Sequence, residues 1–315
     1  MTAGTFPLQG KRIWITGAGG FLGRPVAAEF CRRGAEVLDP GSTEVDLLDP
    51  SAAVAFLRRQ RPDGVVHLAA RVGGIGANRE HPGGFFFANL AMGLHLIEAC
   101  RTEGVAKLAV AGTVCAYPKS CPVPFREADL WNGYPEETNA PYGVAKKALL
   151  VQMQAYRQEY GTRGIFLIPV NLYGPGDHLD LETNHVIPAL IRKFIEARRD
   201  GSGPVELWGT GQASREFLYV EDAARAFADG MERYDHGEPV NLGTGEEIRI
   251  GDLALLIQRL TGHSGELRFN PAYPDGQPRR KLDTSRAQER FGWRAEVGLE
   301  EGLRRTIAWM EAALP

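Results

Sequence analysis

The run Gly17-Ala-Gly-Gly20-Phe-Leu-Gly23 constrains this chain more than any other stretch. It follows Lys-Arg-Ile-Trp-Ile-Thr at 11–16, an apolar run of strand type. It precedes a stretch to Arg33 with helical spacing, in which Val26 and Phe30 share a face and Gly34 stands at the C-terminal end. Strand, glycine turn and helix in that order place a sharp backbone bend at a helix N-terminus. Free N–H groups and the helix dipole gather there, and both favour an anion. Glycines let the main chain turn tightly and approach a pyrophosphate, so the expected ligand is a dinucleotide resting on Gly17, Gly20, Phe21, Leu22 and Gly23.

The next strand, Glu36-Val-Leu-Asp39, ends in an acid. A carboxylate there accepts hydrogen bonds from the ribose hydroxyls of NAD and repels the 2'-phosphate of NADP. Ser42 and Thr43 lie close by and suit a phosphate, so Asp39 points to NAD while its neighbours keep NADP open. The alternation continues with a helix over 51–60, a strand over 64–70 and a long helix over 84–103. A strand over 107–113, a helix over 142–160 and a strand over 165–170 follow. Parallel strands need crossover helices, so the expected fold class is α/β, a Rossmann-type doubly wound parallel sheet. After Asn171 the pattern becomes irregular and rich in Pro and Gly, then returns at 216–220, 221–233 and 240–243. The expected division is a dinucleotide-binding domain from 1–170 with 216–243, and a smaller discontinuous C-terminal substrate lobe from 171–215 with 244–315. Such a lobe closes over the strand ends, where open α/β sheets bind ligands.

Composition narrows the partners. With 36 Lys+Arg against 39 Asp+Glu, the formal charge of -3 gives no basic field for nucleic acid. The apolar runs are short and broken, below the ~20 residues of a membrane span, and residues 1–12 lack the pattern of a secretory signal. A cytoplasmic protein without membrane contact is expected. Cys31, Cys100, Cys115 and Cys121 are too few and scattered for a disulfide scaffold, and no CxxC pair suggests zinc, so no metal is expected.

Tyr142-Gly-Val-Ala-Lys146 sets a phenol and an ammonium one helical turn apart on one face. A nearby cation stabilises phenolate and draws the tyrosine down from about 10, making it a usable general acid. The same spacing occurs in surface pairs on amphipathic helices; the upstream glycine turn favours the chemical reading.

Taken together, Gly17–Gly23, His67-Leu68-Ala69-Ala70, a strand ending in Thr113, Tyr142–Lys146 and Asn171-Leu-Tyr-Gly-Pro175 resemble the extended short-chain dehydrogenase/reductases that modify nucleotide sugars. The resemblance spans nearly the whole chain. It implies a catalytic triad of Thr113, Tyr142 and Lys146, supported from below by Asn89. It also implies a cofactor site completed by Leu68, Ala69, Ala70, Tyr142, Lys146 and His185. Within that group, Val72-Gly-Gly-Ile75, Thr113-Val-Cys115-Ala-Tyr-Pro118, Asn184-His-Val-Ile-Pro-Ala-Leu190, Trp208-Gly-Thr-Gly211 and Arg215-Glu-Phe217 resemble the GDP-L-fucose synthase family. This narrower resemblance implies C3 and C5 epimerisation of a GDP-linked 4-keto-6-deoxy sugar by Cys115 and His185, then reduction at C4 with NADP(H). It implies substrate contacts from Asn171, Val186, Arg192, Trp208, Arg215 and Lys281, and a homodimer formed through the helices at 84–103 and 142–160.

The chemistry explains these residue types. A 4-keto group acidifies the hydrogens on C3 and C5, so a base removes one if donors such as Tyr142 and Thr113 hold the enolate oxygen. Inversion needs a proton from the opposite face, and a thiol and an imidazole both titrate near neutrality. Cys115 stands two residues after Thr113, and in an extended segment that spacing points both side chains to one side.

Plainer readings stand beside these. A cysteine after an apolar strand is ordinarily a small buried hydrophobe; Cys31, Cys100 and Cys121 are assigned to structure. His178 competes with His185, and the arginines also suit a solvated surface, Arg215 least so. Three departures from the family pattern are a glycine loop without a basic residue, the acid Asp39 where the NADPH-using family need not have one, and Thr in place of Ser at 113. The alternatives are a redox-neutral epimerase on the same fold and a cofactor-sensing protein without chemistry, against which the intact Thr113/Tyr142/Lys146 set argues.

Overall fold

The computed structural model describes residues 5–73, 80–177, 185–273 and 275–314. Ile75, His178 and Asn184 lie outside the described residues. In chain order the first elements are β1 (Arg12–Thr16), α1 (Gly23–Arg32), β2 (Glu36–Leu38), α2 (Pro50–Gln60) and β3 (Gly64–His67). Next come α3 (Pro82–Thr102), β4 (Lys107–Ala111), α4 (Ala140–Tyr160), β5 (Gly164–Pro169), β6 (Asn171–Tyr173), α5 (Val186–Arg199), β7 (Val205–Trp208) and β8 (Ser214–Arg215). The remainder is β9 (Phe217–Tyr219), α6 (Val220–Arg233), β10 (Val240–Leu242), β11 (Ile248–Arg249), α7 (Ile250–Thr261), β12 (Leu267–Asn270), β13 (Arg279–Arg280), α8 (Ser285–Phe291) and α9 (Leu299–Ala313).

Six strands form the central sheet in the order β10-β5-β4-β3-β1-β2, and every neighbouring pair is parallel. This is the α/β, Rossmann-type architecture that the alternation of strands and helices implies. Ile13, Val65, Val66, Ala109, Val110, Ile165 and Leu167 are fully buried, because helices cover both faces of the sheet and each strand reads as a continuous apolar run. The order of connection reverses at β1, which has β2 on one side and β3 on the other. A crevice opens at the carboxyl ends of strands where connections diverge in this way, and the glycine turn leads directly out of β1.

Local signals set the helix ends. Asp49 caps α2 by accepting from the Ser51 N–H, with Pro50 at the first helical position. Helix α4 closes on Gly161 in the left-handed conformation, whose N–H returns to the Arg157 carbonyl while the Thr162 N–H returns to that of Tyr156. One expectation needs correction: the apolar stretches are not all short. Helix α3 runs for 21 residues and is, by length and composition, apolar enough to cross a membrane, but half of its most apolar stretch is buried inside the protein. It packs along α2 and α4, which accounts for its composition.

A second hydrophobic cluster gathers Ile187, Ile191 and Phe194 from α5, Leu207 from β7, Leu253 and Ile257 from α7, and Leu303 and Ile307 from α9. Leu282, Ala287, Phe291 and Trp293 pack instead with the cluster around the central sheet. Two buried polar groups tie these parts together. The Glu216 carboxylate accepts N–H groups from Gly245 at 2.7 Å and Leu282 at 2.6 Å. Asn241, on β10, donates to the carbonyls of Phe125 and Asp283 and accepts from the Tyr117 hydroxyl. Satisfied in this way, the Glu216 carboxylate and the Asn241 side chain fix loop positions with their own polar atoms paired.

Candidate active site

The glycine turn is built by contacts that only glycine tolerates. Gly17 has φ +74°, and a Cβ there would meet the Ala69 nitrogen at 2.9 Å. A Cβ on Gly23 would overlap the Gly17 carbonyl oxygen, whereas one on Gly19 would point into open space. Gly17, Gly19 and Gly20 are exposed at the head of α1, Phe21 and Leu22 are half-buried beside them, and Asp39 is exposed just past β2. Across the turn, Leu68, Ala69 and Ala70 follow β3, with the Ala69 N–H bonded to Thr16 Oγ1 at 3.2 Å. A phosphate has room and donors there, so the residues fit a dinucleotide. A cation also reaches the turn from the helix itself, because Arg24 Nε donates to the Gly19 carbonyl at 2.9 Å.

Asn89 reaches from α3 to the loop that follows β3. Its side chain exchanges two hydrogen bonds with the Arg71 backbone, at 3.0 and 2.8 Å, and donates a third to the Phe85 carbonyl. Beneath it His67 is fully buried, with Nδ1 2.8 Å from Thr16 Oγ1. Burial, with the Lys146 charge nearby, pushes its imidazole well below the usual value, so it is neutral.

The chain after β4 is not extended. Val114–Ala116 form a single 3-10 turn, and Thr113 caps it by accepting the Cys115 N–H at 3.2 Å. The alternation expected to align Thr113 and Cys115 therefore does not apply; a capping hydrogen bond holds them together instead. Helix α4 presses against this turn, since a Cβ on Gly143 would come within 2.5 Å of the Cys115 carbonyl oxygen. That packing brings Tyr142 to Cys115.

Lys146 is buried, with Nζ 6.0 Å from the centre of the Tyr142 ring. Burial pushes its ammonium down to about 8. Burial pushes the Tyr142 phenol up, and the Cys115 side chain adds to the effect. The expected lowering of Tyr142 by Lys146 is thus reversed here, because desolvation outweighs a cation at that separation. The phenol stands protonated, ready to give its proton rather than take one.

His185 lies at the head of α5, and its Nδ1 is 3.7 Å from Asp177 Oδ2. The carboxylate raises the imidazole above its ordinary value. Val186, the first residue of α5, is exposed. Asn171 donates its side-chain amide to the Glu216 carbonyl at 2.8 Å.

The basic residues separate. Arg215, on β8, is paired in register with Arg280 on β13; burial and the Arg280 charge push Arg215 down to about 10. Arg280 Nη1 in turn lies 4.0 Å from Cys115 Sγ. Lys281 acts instead on the carboxylates of Glu216 and Glu247, and Arg192 pairs with Glu196 along its own helix at 2.6 Å. The sequence reading missed Arg280 and Asp177. A strand directs successive side chains to opposite sides, so the Arg279-Arg280-Lys281 run alone does not say which cation faces the thiol. Trp208 is exposed and stacked on Tyr273, with ring centres 4.3 Å apart. Of the remaining cysteines, Cys100 is buried and Cys121 half-buried, whereas Cys31 is exposed and contributes nothing to a core.

The chain is similar to known proteins over nearly its whole length. A GDP-L-fucose synthase of Sinorhizobium fredii is 40% identical over 296 residues, 94% of each chain. A GDP-6-OMe-4-keto-L-xylo-heptose reductase from C. jejuni superposes with a TM-score of 0.90 at 27% identity, covering 98% of this chain and all of the other (100%). A GDP-L-fucose synthetase from Naegleria fowleri, solved bound to NADP, gives 0.87 at 26% identity over 99% and 96% of the two chains. The family model described as NAD dependent epimerase/dehydratase family matches residues 13–243, through the glycine turn, the 3-10 turn of Cys115 and the Tyr142/Lys146 helix, and the chain belongs to that family.

Proposed function

We propose that this chain is an NADP(H)-dependent epimerase/reductase whose substrate is a GDP-linked 4-keto-6-deoxy sugar. The observation that carries the reading is the packing of Cys115 against the first turn of α4, which sets a thiol beside the protonated phenol of Tyr142. A simple ketone reductase needs the phenol and has no use for the thiol; inversion at a carbon next to the ketone needs both. Thr113 Oγ1 accepts the Cys115 N–H, which leaves its own hydrogen for the substrate oxygen. Together Thr113 and Tyr142 hold that oxygen while Cys115 and His185 exchange protons with C3 and C5 from opposite faces. Bound NADPH supplies the hydride for C4, and Tyr142 gives its proton to the oxygen as the carbonyl becomes an alcohol.

The side chains of Arg215 and Arg280, neighbours in register on β8 and β13, suit a diphosphate together with Lys281. The face of Trp208 suits a base. The reading keeps the division into a cofactor domain from 1–170 with 216–243 and a substrate lobe from 171–215 with 244–315, except that the stretch 282–293, whose Leu282, Ala287, Phe291 and Trp293 pack around the central sheet, goes with the cofactor domain. It also takes the chain as a homodimer through α3 and α4, whose exposed Phe87, Leu94 and Val151 supply an apolar face.

The test is to incubate the purified protein with GDP-4-keto-6-deoxy-mannose and either NADPH or NADH. Nicotinamide absorbance should fall in step with a product inverted at C3 and C5 and reduced at C4, identified by NMR. Inversion without loss of absorbance makes the protein a redox-neutral epimerase, and inertness toward GDP-linked 4-keto sugars overturns the reading altogether.

A further inference from the structure

His185 stands where an imidazolium is electrostatically disfavoured. It is the residue that opens α5, and the positive end of a helix dipole opposes a second positive charge. Its ring is 58% exposed, yet Nδ1 turns inward to Asp177, whose side chain is 2% exposed. A carboxylate removed from water costs free energy unless a partner compensates for it. Asp177 is aimed by backbone that other residues do not adopt easily. Gly174 has φ +151° and Gly176 has φ +87°, and a Cβ on Gly174 would press on Val220 Cγ1 at 2.6 Å. The turn after β6, fixed by its parallel pairing with β9, thus delivers the carboxylate to the head of a separate helix.

We infer that Asp177 is the positioning residue of His185: its carboxylate fixes the ring through Nδ1, stabilises the doubly protonated imidazole against the helix dipole, and presents Nε2 to the substrate. This rests on the reading of His185 as an acid–base group. When Nε2 gives up its proton, that proton and the electron pair of the enolate make the new C–H bond. The electrons of the broken N–H bond stay on the ring as neutral imidazole, and Asp177 remains a carboxylate throughout. Among the described residues, Asp177 is the charged group acting on the ring; Arg192, further along α5, is paired with Glu196.

The experiment follows the His185 imidazole by NMR in isotope-labelled protein, with His185→Gln to assign the signal. The wild-type ring should titrate above the ordinary value of about 6.5, and Asp177→Asn should lower that midpoint by about one pH unit or more. In deuterated water, uptake of deuterium into the substrate at neutral pH should fall about tenfold or more in Asp177→Asn, the equivalent of a one-unit shift in the ring's midpoint. The acidic and basic limbs of the pH profile should move with the ring. Asp177→Glu, which returns a carboxylate on a longer arm, should recover part of both effects. A ring that titrates at or below its ordinary value in the wild type, or a midpoint unmoved by Asp177→Asn, overturns the inference. If Asp177→Asn does not fold, the wild-type titration alone decides. If His185→Gln leaves deuterium uptake intact, the acid–base reading of His185 fails by itself, and the titration still reports on the pair.

Discussion

Arg280 Nη1 lies 4.0 Å from Cys115 Sγ, so a guanidinium from β13 faces the thiol of the turn that follows β4. Such a cation attracts the negative charge that develops on sulfur as it gives up a proton. Replacing Arg280 with Ala should slow deuterium uptake at the substrate carbon served by Cys115 by about tenfold, the low end for a hydrogen bond to a charged group. Arg280→Lys should retain most of the rate. Equal uptake in the wild type and the alanine variant would show that the guanidinium serves only the diphosphate.

Tyr142→Phe removes the proton donor and keeps the ring. Reduction at C4 should drop by about 100-fold or more, the usual worth of a positioned general acid. NADPH affinity, read by calorimetry, should stay within about threefold, since the rest of the crevice is unchanged. Undiminished consumption of NADPH would take the phenol out of the reaction.

Burial holds the Lys146 ammonium near 8, below the 10.5 of the exposed group, so its charge is present at neutral pH and lost as the pH rises through about 8. C4 reduction should decline over the same interval. Lys146→Arg keeps its charge to above about pH 12 and should shift the alkaline limb upward, whatever its absolute rate. A wild-type profile that stays level to about pH 10 would mean that the reaction does not use the ammonium.

Two glycines of the turn should behave differently. Gly23→Ala forces a methyl group onto the Gly17 carbonyl and should cost about 1–3 kcal/mol of stability, the common penalty of overpacking, seen as a lower melting temperature. Gly19→Ala meets nothing within 4 Å, so melting should be unchanged while NADPH binds more weakly, because the new methyl occupies the approach to the pyrophosphate. Normal NADPH affinity in Gly19→Ala would place the cofactor elsewhere.

Elements whose cause is local were legible in the sequence. The strand–turn–helix at 12–32, its closing turn at Gly34 and the parallel sheet follow from periodicity, glycine placement and the need for crossovers. Residues whose role depends on distant partners were harder to place. Thr113 and Cys115 looked like alternate positions of a strand because the turn between them is stabilised by one side-chain cap and by α4, which begins more than twenty residues later. Arg280 ends β13 and Lys281 follows directly, and only the pairing of β13 with β8 sets Arg280 beside Arg215. Asp177 carries no motif of its own; a turn set by Gly174 and Gly176 gives it its position. The phenol of Tyr142 was misjudged because a sequence shows that a cation is near but not how much water has been removed from both groups.

The Asn89 side chain meets the Arg71 main chain as another strand would, offering an oxygen to its N–H and an N–H to its oxygen. One residue of α3 thereby acts as a splint for the main chain four residues past the end of β3. Because α3 also lies along α4, a single helix bonds the lip of the crevice through Asn89 and packs against the helix bearing Tyr142.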